Sequence, residues 1–170
     1  MKMKQRNWLL GLMLLVVCLM VAACSSGGST SSKKEKKDDG LSTTVFEADL
    51  DGVITEMTYT HKGDKVVKQE SHSVLKYETL GIESKEEAEE MFSFVKDEYD
   101  IEGVTYKSEF SDTEMTEDVT VDYEKADIQE VMTLMGTIND QEDENQKVKY
   151  ISMKQSKELL LEQGFKEKKE

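Results

Sequence analysis

Proline is absent from these 170 residues, arginine occurs once, as Arg6, and histidine twice, as His61 and His72. Cysteine also occurs twice, as Cys18 and Cys24. Each shortage excludes something. Arginine is the preferred fork for phosphate and carboxylate groups. Its near absence, with a formal net charge of −14, excludes a nucleic-acid partner. The same negative field keeps the chain's own surface off anionic headgroups and suits a cationic partner or divalent cations, although solubility alone accounts for it. Two cysteines, one of them inside an apolar run, leave no disulfide framework. No glycine-rich phosphate loop, EF-hand spacing or nucleophile with a His-Asp partner set is present. Without proline, the turns rest on glycine and aspartate.

What the chain does carry begins at its N-terminus. Lys2, Lys4 and Arg6 form a positive segment, and no charge follows from Trp8 to Ala23. A charged start, an apolar core and small residues before a cut site describe a secretory signal peptide. The apolar run is shorter than the roughly 20 residues a spanning helix needs. Val21-Ala22-Ala23-Cys24 resembles a lipobox, the recognition site of bacterial lipoprotein processing. Small residues let an extended backbone enter a protease cleft, and the cysteine thiolate is the nucleophile that takes a diacylglyceryl group. The resemblance implies cleavage between Ala23 and Cys24, with acylated Cys24 in the lipid bilayer. The protein would then be lipid-anchored at the cell membrane, on its extracytoplasmic side. Each buried CH₂ contributes about 0.8 kcal/mol to such an anchor. Loss of Lys2, Lys4 and Arg6 leaves 19 of the 22 basic residues against 36 acidic ones, a balance of −17.

Ser25 to Ser32 reads SSGGSTSS and Lys33 to Gly40 reads KKEKKDDG. Neither has an apolar residue to bury, so both read as a flexible stalk. The expected organisation is a signal peptide over 1–23, a lipidated Cys24 and stalk over 24–40, and one domain over 41–170.

Within that domain, Thr43 to Leu50, Val53 to His61 and Val66 to Tyr77 read as strands. They are joined by Asp51-Gly52 and by the Lys62-Gly63-Asp64-Lys65 turn. Ser84 and Glu87 make an S-x-x-E capping box. Ala88, Met91, Phe92, Val95 and Tyr99 then continue one apolar helical face. Val104, Tyr106, Ser108 and Phe110 share a strand face, as do Val119, Val121 and Tyr123, with the turn placed within Ser111 to Asp118. Asp127 with Glu130 opens a second helix, carrying Ile128, Val131, Met132 and Met135 and stopping at Gly136. Ser152 with Gln155 opens the last one, closed by Gly164 and Phe165. The order β-β-β-α-β-β-α-α predicts an α+β fold, an antiparallel sheet with helices packed on one face.

Several stretches are similar to the YehR-like lipoprotein family. They are Gly52-Val53-Ile54 through Tyr59, Lys62-Gly63-Asp64-Lys65-Val66-Val67-Lys68-Gln69, and Gly103-Val104 through Val119-Thr120-Val121-Asp122-Tyr123-Glu124-Lys125. The closing Met153 to Lys166, with Gly164-Phe165-Lys166, belongs to the same set. The resemblance implies an α+β domain on a lipid anchor. It carries no activity and no catalytic residues, because the family's domain is of unknown function.

Candidate chemistry is sparse. If Gly63-Asp64 centres a tight turn, His61 faces Val66 and His72 faces Thr55, roughly 20 Å apart at about 3.3 Å per residue. That separation is too great for one zinc. The acidic stretch 139–147 reads as a solvated loop before it reads as a divalent-cation site. Met91, Met132, Met135 and Met153 read as core filler rather than a Cu(I) set. No metal, cofactor or catalytic residue is assigned. The sequence therefore points to a non-catalytic binding or interaction module in the cell envelope, its protein or small-ligand partner open. A small envelope hydrolase with an unrecognised site, or a structural or assembly factor, stands as the alternative.

Overall fold

The computed structural model describes residues 40–134 and 148–169. The signal segment, the lipobox with Cys24, nearly all of the stalk, Met135, Gly136 and the acidic loop lie outside the described residues.

Alternation of inward and outward residues marks the first three strands. They are β1 (Ser42–Leu50), β2 (Val53–Lys62) and β3 (Lys65–Lys76), and buried side chains alternate from Phe46 to Ala48, from Val53 to Tyr59 and from Gln69 to Leu75. Leu50 pairs with Val53 across Asp51 and Gly52. Both of those residues have positive φ, 52° and 83°, as a type I′ hairpin requires. Lys62 pairs with Lys65 across the second turn.

Three short helices follow: α1 (Tyr77–Leu80), α2 (Lys85–Phe92) and α3 (Val95–Glu98). The single helix expected from Ser84 to Tyr99 is therefore broken. Ser93 donates its hydroxyl to the Glu90 carbonyl at 3.0 Å, and such a local bond competes with the helical ladder. At the other end the expected cap is present, with the Ser84 hydroxyl accepting from the Glu87 backbone N–H. Glu87 returns a bond to the N–H of Glu83 at 2.8 Å, one residue before the position a capping box would use.

The next hairpin is β4 (Val104–Phe110) and β5 (Glu114–Asp122). Its turn is only 111–113, so the returning strand starts well before the Val119 expected from the polarity of the segment. Helices α4 (Ile128–Leu134) and α5 (Met153–Glu162) follow, and a two-residue strand β6 (Lys166–Glu167) ends the order. The sheet has six strands in the order β4-β5-β3-β2-β1-β6, and every pairing is antiparallel. The buried side chains of the sheet share one face and join those of the helices in one core cluster. The fold is thus α+β with helices on one face, as expected, but with extra short helices and a sixth strand.

Candidate functional site: a buried carboxyl beneath an open edge

The pairing register lines up four polar residues on the inner face of the sheet. Thr55 of β2 faces Ser73 of β3, Ser73 faces Glu117 of β5, and Glu117 faces Ser108 of β4. Thr55 and Ser73 share a buried hydrogen bond between their hydroxyls at 3.1 Å. Glu117 is only 4% exposed, and among the described residues no lysine or histidine forms an ion pair with it. Burial strips water from its charge and pushes its pKa up to about 7. Tyr106 pulls that value down and the neighbouring Asp118 charge pushes it up. The Tyr106 phenol is itself pushed up, first by burial and then by Glu117. Its hydroxyl is buried without a partner in good hydrogen-bond geometry, so it influences the carboxyl without satisfying it. The Tyr106 ring stacks on Tyr99 at 4.8 Å, which holds the phenol over the end of the row.

A second polar spot lies two strand repeats away, at the Tyr59–Gln69 pair. The Tyr123 hydroxyl donates to Gln69 at 2.9 Å, and Gln69 faces Tyr59. Tyr59 is fully buried, edge-on to Phe46 at 6.0 Å, and its hydroxyl has no partner. Such an orphan costs about 1–3 kcal/mol. The Glu117 row can hold a proton and offer hydrogen bonds. Neither histidine joins it.

His61 lies opposite Val66, as expected. Its Nδ1 donates to the Gly63 carbonyl at 2.8 Å and the Thr44 hydroxyl meets its Nε2 at 3.1 Å, so the ring braces the turn. His72, however, faces Glu56 rather than Thr55. The register shifts because Val67 is an extra residue without a partner on β2, a bulge that a count from the turn could not reveal. His72 points from the exposed side of β3 to Asp118 at 2.8 Å. No group of three metal-ligating side chains occurs among the described residues.

The turn that carries the family resemblance has a structural task. Asp64 accepts from the Lys154 N–H at 2.9 Å and from the Ser152 hydroxyl at 2.8 Å. Its own carbonyl accepts from the Met153 N–H at 2.7 Å. The β2–β3 turn therefore caps α5, whose orphan N–H groups and positive dipole end favour a carboxylate. Gly103, in the other motif, sits where an added Cβ would meet the Ala126 backbone nitrogen at 2.6 Å.

Sequence reasoning missed Glu117. The signal was present: counting back by two from Tyr123 through Val121 and Val119 reaches Glu117 and Met115. It was masked by the polarity of the surrounding residues.

One edge of the sheet is β4. Ser111 N–H donates to the Glu114 carbonyl, and Asp122 N–H to the Gly103 carbonyl. These bonds put the odd-numbered residues of β4 in register with β5. The backbone groups of Tyr106, Ser108 and Phe110 therefore point away from the sheet, and they have no partner among the described residues. On the outer surface of this strand, Thr105, Lys107 and Glu109 are all exposed.

Comparison with known proteins agrees with this architecture. A family described as "Protein of unknown function (DUF1307)" matches residues 42–166. The chain is 36% identical over 130 residues to the uncharacterized lipoprotein Lin0239 of Listeria innocua, covering 76% of this chain and 82% of that one. It is 35% identical over 125 residues to the uncharacterized lipoprotein YehR of Escherichia coli, covering 73% and 80%. The NMR structure of E. coli YehR superposes with a TM-score of 0.60 at 35% identity, covering 74% of this chain and 88% of that one. No helix among the described residues is long and apolar enough to cross a membrane.

Proposed function

This chain belongs to the DUF1307 family, and from that premise we propose that it is a lipoprotein held by acylated Cys24 at the extracytoplasmic side of the cell membrane. There its α+β domain serves as a non-catalytic interaction module, and the open β4 edge is the surface it presents. The observation that carries the anchor is Val21-Ala22-Ala23-Cys24 at the end of an uncharged run, in a chain whose relatives bear the name lipoprotein. The interaction role draws its support from β4, whose unpaired backbone groups are a template for another strand.

The test is Cys24→Ser, which replaces the acylated sulfur by a hydroxyl. In detergent phase partition, the parent is expected in the detergent phase and the variant in the aqueous phase. Protease added to intact cells stripped of their wall should remove the domain from the parent. A variant that stays with membranes as fully as the parent overturns the anchor, and a domain shielded from protease overturns its side.

A further inference from the structure

We propose that β4 pairs with β4 of a second copy of this chain, antiparallel, about a twofold axis through Ser108. The inference rests on the interaction reading above and names its partner. It follows from the register of the outward backbone groups and from the side chains between them.

Tyr106, Ser108 and Phe110 offer their N–H and C=O groups outward, so a second strand must bond to these residues. Three symmetric registers place enough of the strand in contact. Centred on Lys107, the pairing sets Lys107 against Lys107 of the other copy, and like charges directly opposite repel. Centred on Tyr106, it sets Lys107 against Thr105 and Glu109 against Gly103, which uses neither charge. Centred on Ser108, it sets Lys107 against Glu109 and, by symmetry, Glu109 against Lys107. On the inner face the same register sets Tyr106 against Phe110, twice. Opposite charges and aromatic pairs are the combinations that favour strand pairing. The Tyr106–Phe110 and Ser108–Ser108 positions are then the hydrogen-bonded pairs, each exchanging both N–H···O bonds.

A lysine on an edge strand ordinarily discourages pairing. Here Glu109, two residues on and on the same face, supplies its complement. Both copies keep their helices on the same side, so the sheet continues from one to the other. One strand pair buries far less than the ~1,600 Å² of a standard stable interface. The contact therefore depends on confinement: two chains anchored in one membrane meet at high effective concentration.

Full-length lipidated chains carrying donor or acceptor fluorophores at the C-terminus, reconstituted together in dilute lipid vesicles, read the contact by energy transfer. The parent is expected to show it. Lys107→Glu sets Glu against Glu109, and Glu109→Lys sets Lys against Lys107, so each variant alone should lose roughly tenfold in association. Mixed together, the two variants restore both opposite-charge pairs and should recover transfer. Both side chains are exposed, and circular dichroism on each variant confirms its fold. Absence of transfer in the parent, or single variants that associate as well as the parent, overturns the proposal. If the parent stays single in vesicles, yet Lys107→Glu abolishes crosslinks to a different envelope protein in cells, self-pairing is wrong and the interaction reading stands.

Discussion

Between about pH 4.5 and 7 the folded chain holds a proton on Glu117 that the unfolded chain has already released. The sign follows from linkage. Where the native state binds more protons than the unfolded state, stability falls as pH rises. Glu117 thus adds most to stability below its ordinary value of 4.5, and that contribution is gone above about 7. At 1.36 kcal/mol per unit, the loss is about 3 kcal/mol. Glu117→Gln keeps the size and removes the charge. In urea unfolding the variant should match the parent near pH 4 and exceed it at pH 8 by up to about 3 kcal/mol. An identical pH response in the two chains would remove Glu117 as the cause. Local alternation puts this residue in line with Val119 and Val121, yet its own polarity argues for the other face. Whether a strand glutamate faces water or the core depends on which face the helices cover, and that is settled by contacts far away in the chain.

Local chemistry, by contrast, marks the ends of elements well. Helix α5 shows how much a few residues specify. Ser152 caps its first turn, accepting from the Gln155 N–H. At the other end, Gly164 at φ 94° and Phe165 close a Schellman motif, with Phe165 N–H bonded to the Leu160 carbonyl and Gly164 N–H to the Leu161 carbonyl. Phe165 then buries its ring, 2% exposed. Truncating it opens a cavity at the joint between α5, β6 and β1, and Phe165→Ala should cost about 3–5 kcal/mol. The midpoint of chemical unfolding reads this directly, and a loss under about 1 kcal/mol would mean that the site collapses around the gap. Both caps and the buried phenylalanine were legible in the sequence, as were β1 to β3, because each depends on neighbours a few residues apart. The break at Ser93, the Val67 bulge and the pairing of β5 with β3 were not. Competing hydrogen bonds and long-range register decide those.

Taken as one object, the molecule is an anion. Its 36 acidic residues against 22 basic ones leave a formal net charge of −14. Ion pairs among the described residues include exposed ones: Lys168 reaches Glu47 at 3.3 Å and Glu56 at 2.7 Å, and Lys68 reaches Glu70 at 2.7 Å. All these side chains are more than 40% exposed, and such pairs contribute little. Repulsion across the surface is expected to outweigh them. Raising the ionic strength from about 0.01 M to 0.15 M shortens the screening length from roughly 30 Å to 8 Å. The thermal midpoint should rise by a few degrees with it, at roughly 4–8 °C for each kcal/mol in a domain of this size class. A midpoint that falls with added salt would show that the surface pairs win instead.

Asp64 and Lys154 lie 90 residues apart in the chain yet share a bond, and the first strand of the sheet is zipped to the last. A chain made from its N-terminal end must therefore deliver residues 152–167 before these contacts can form. Until then the β2–β3 turn waits with its carboxylate empty. Sheet and α5 are thus joined only after some ninety further residues have followed that turn.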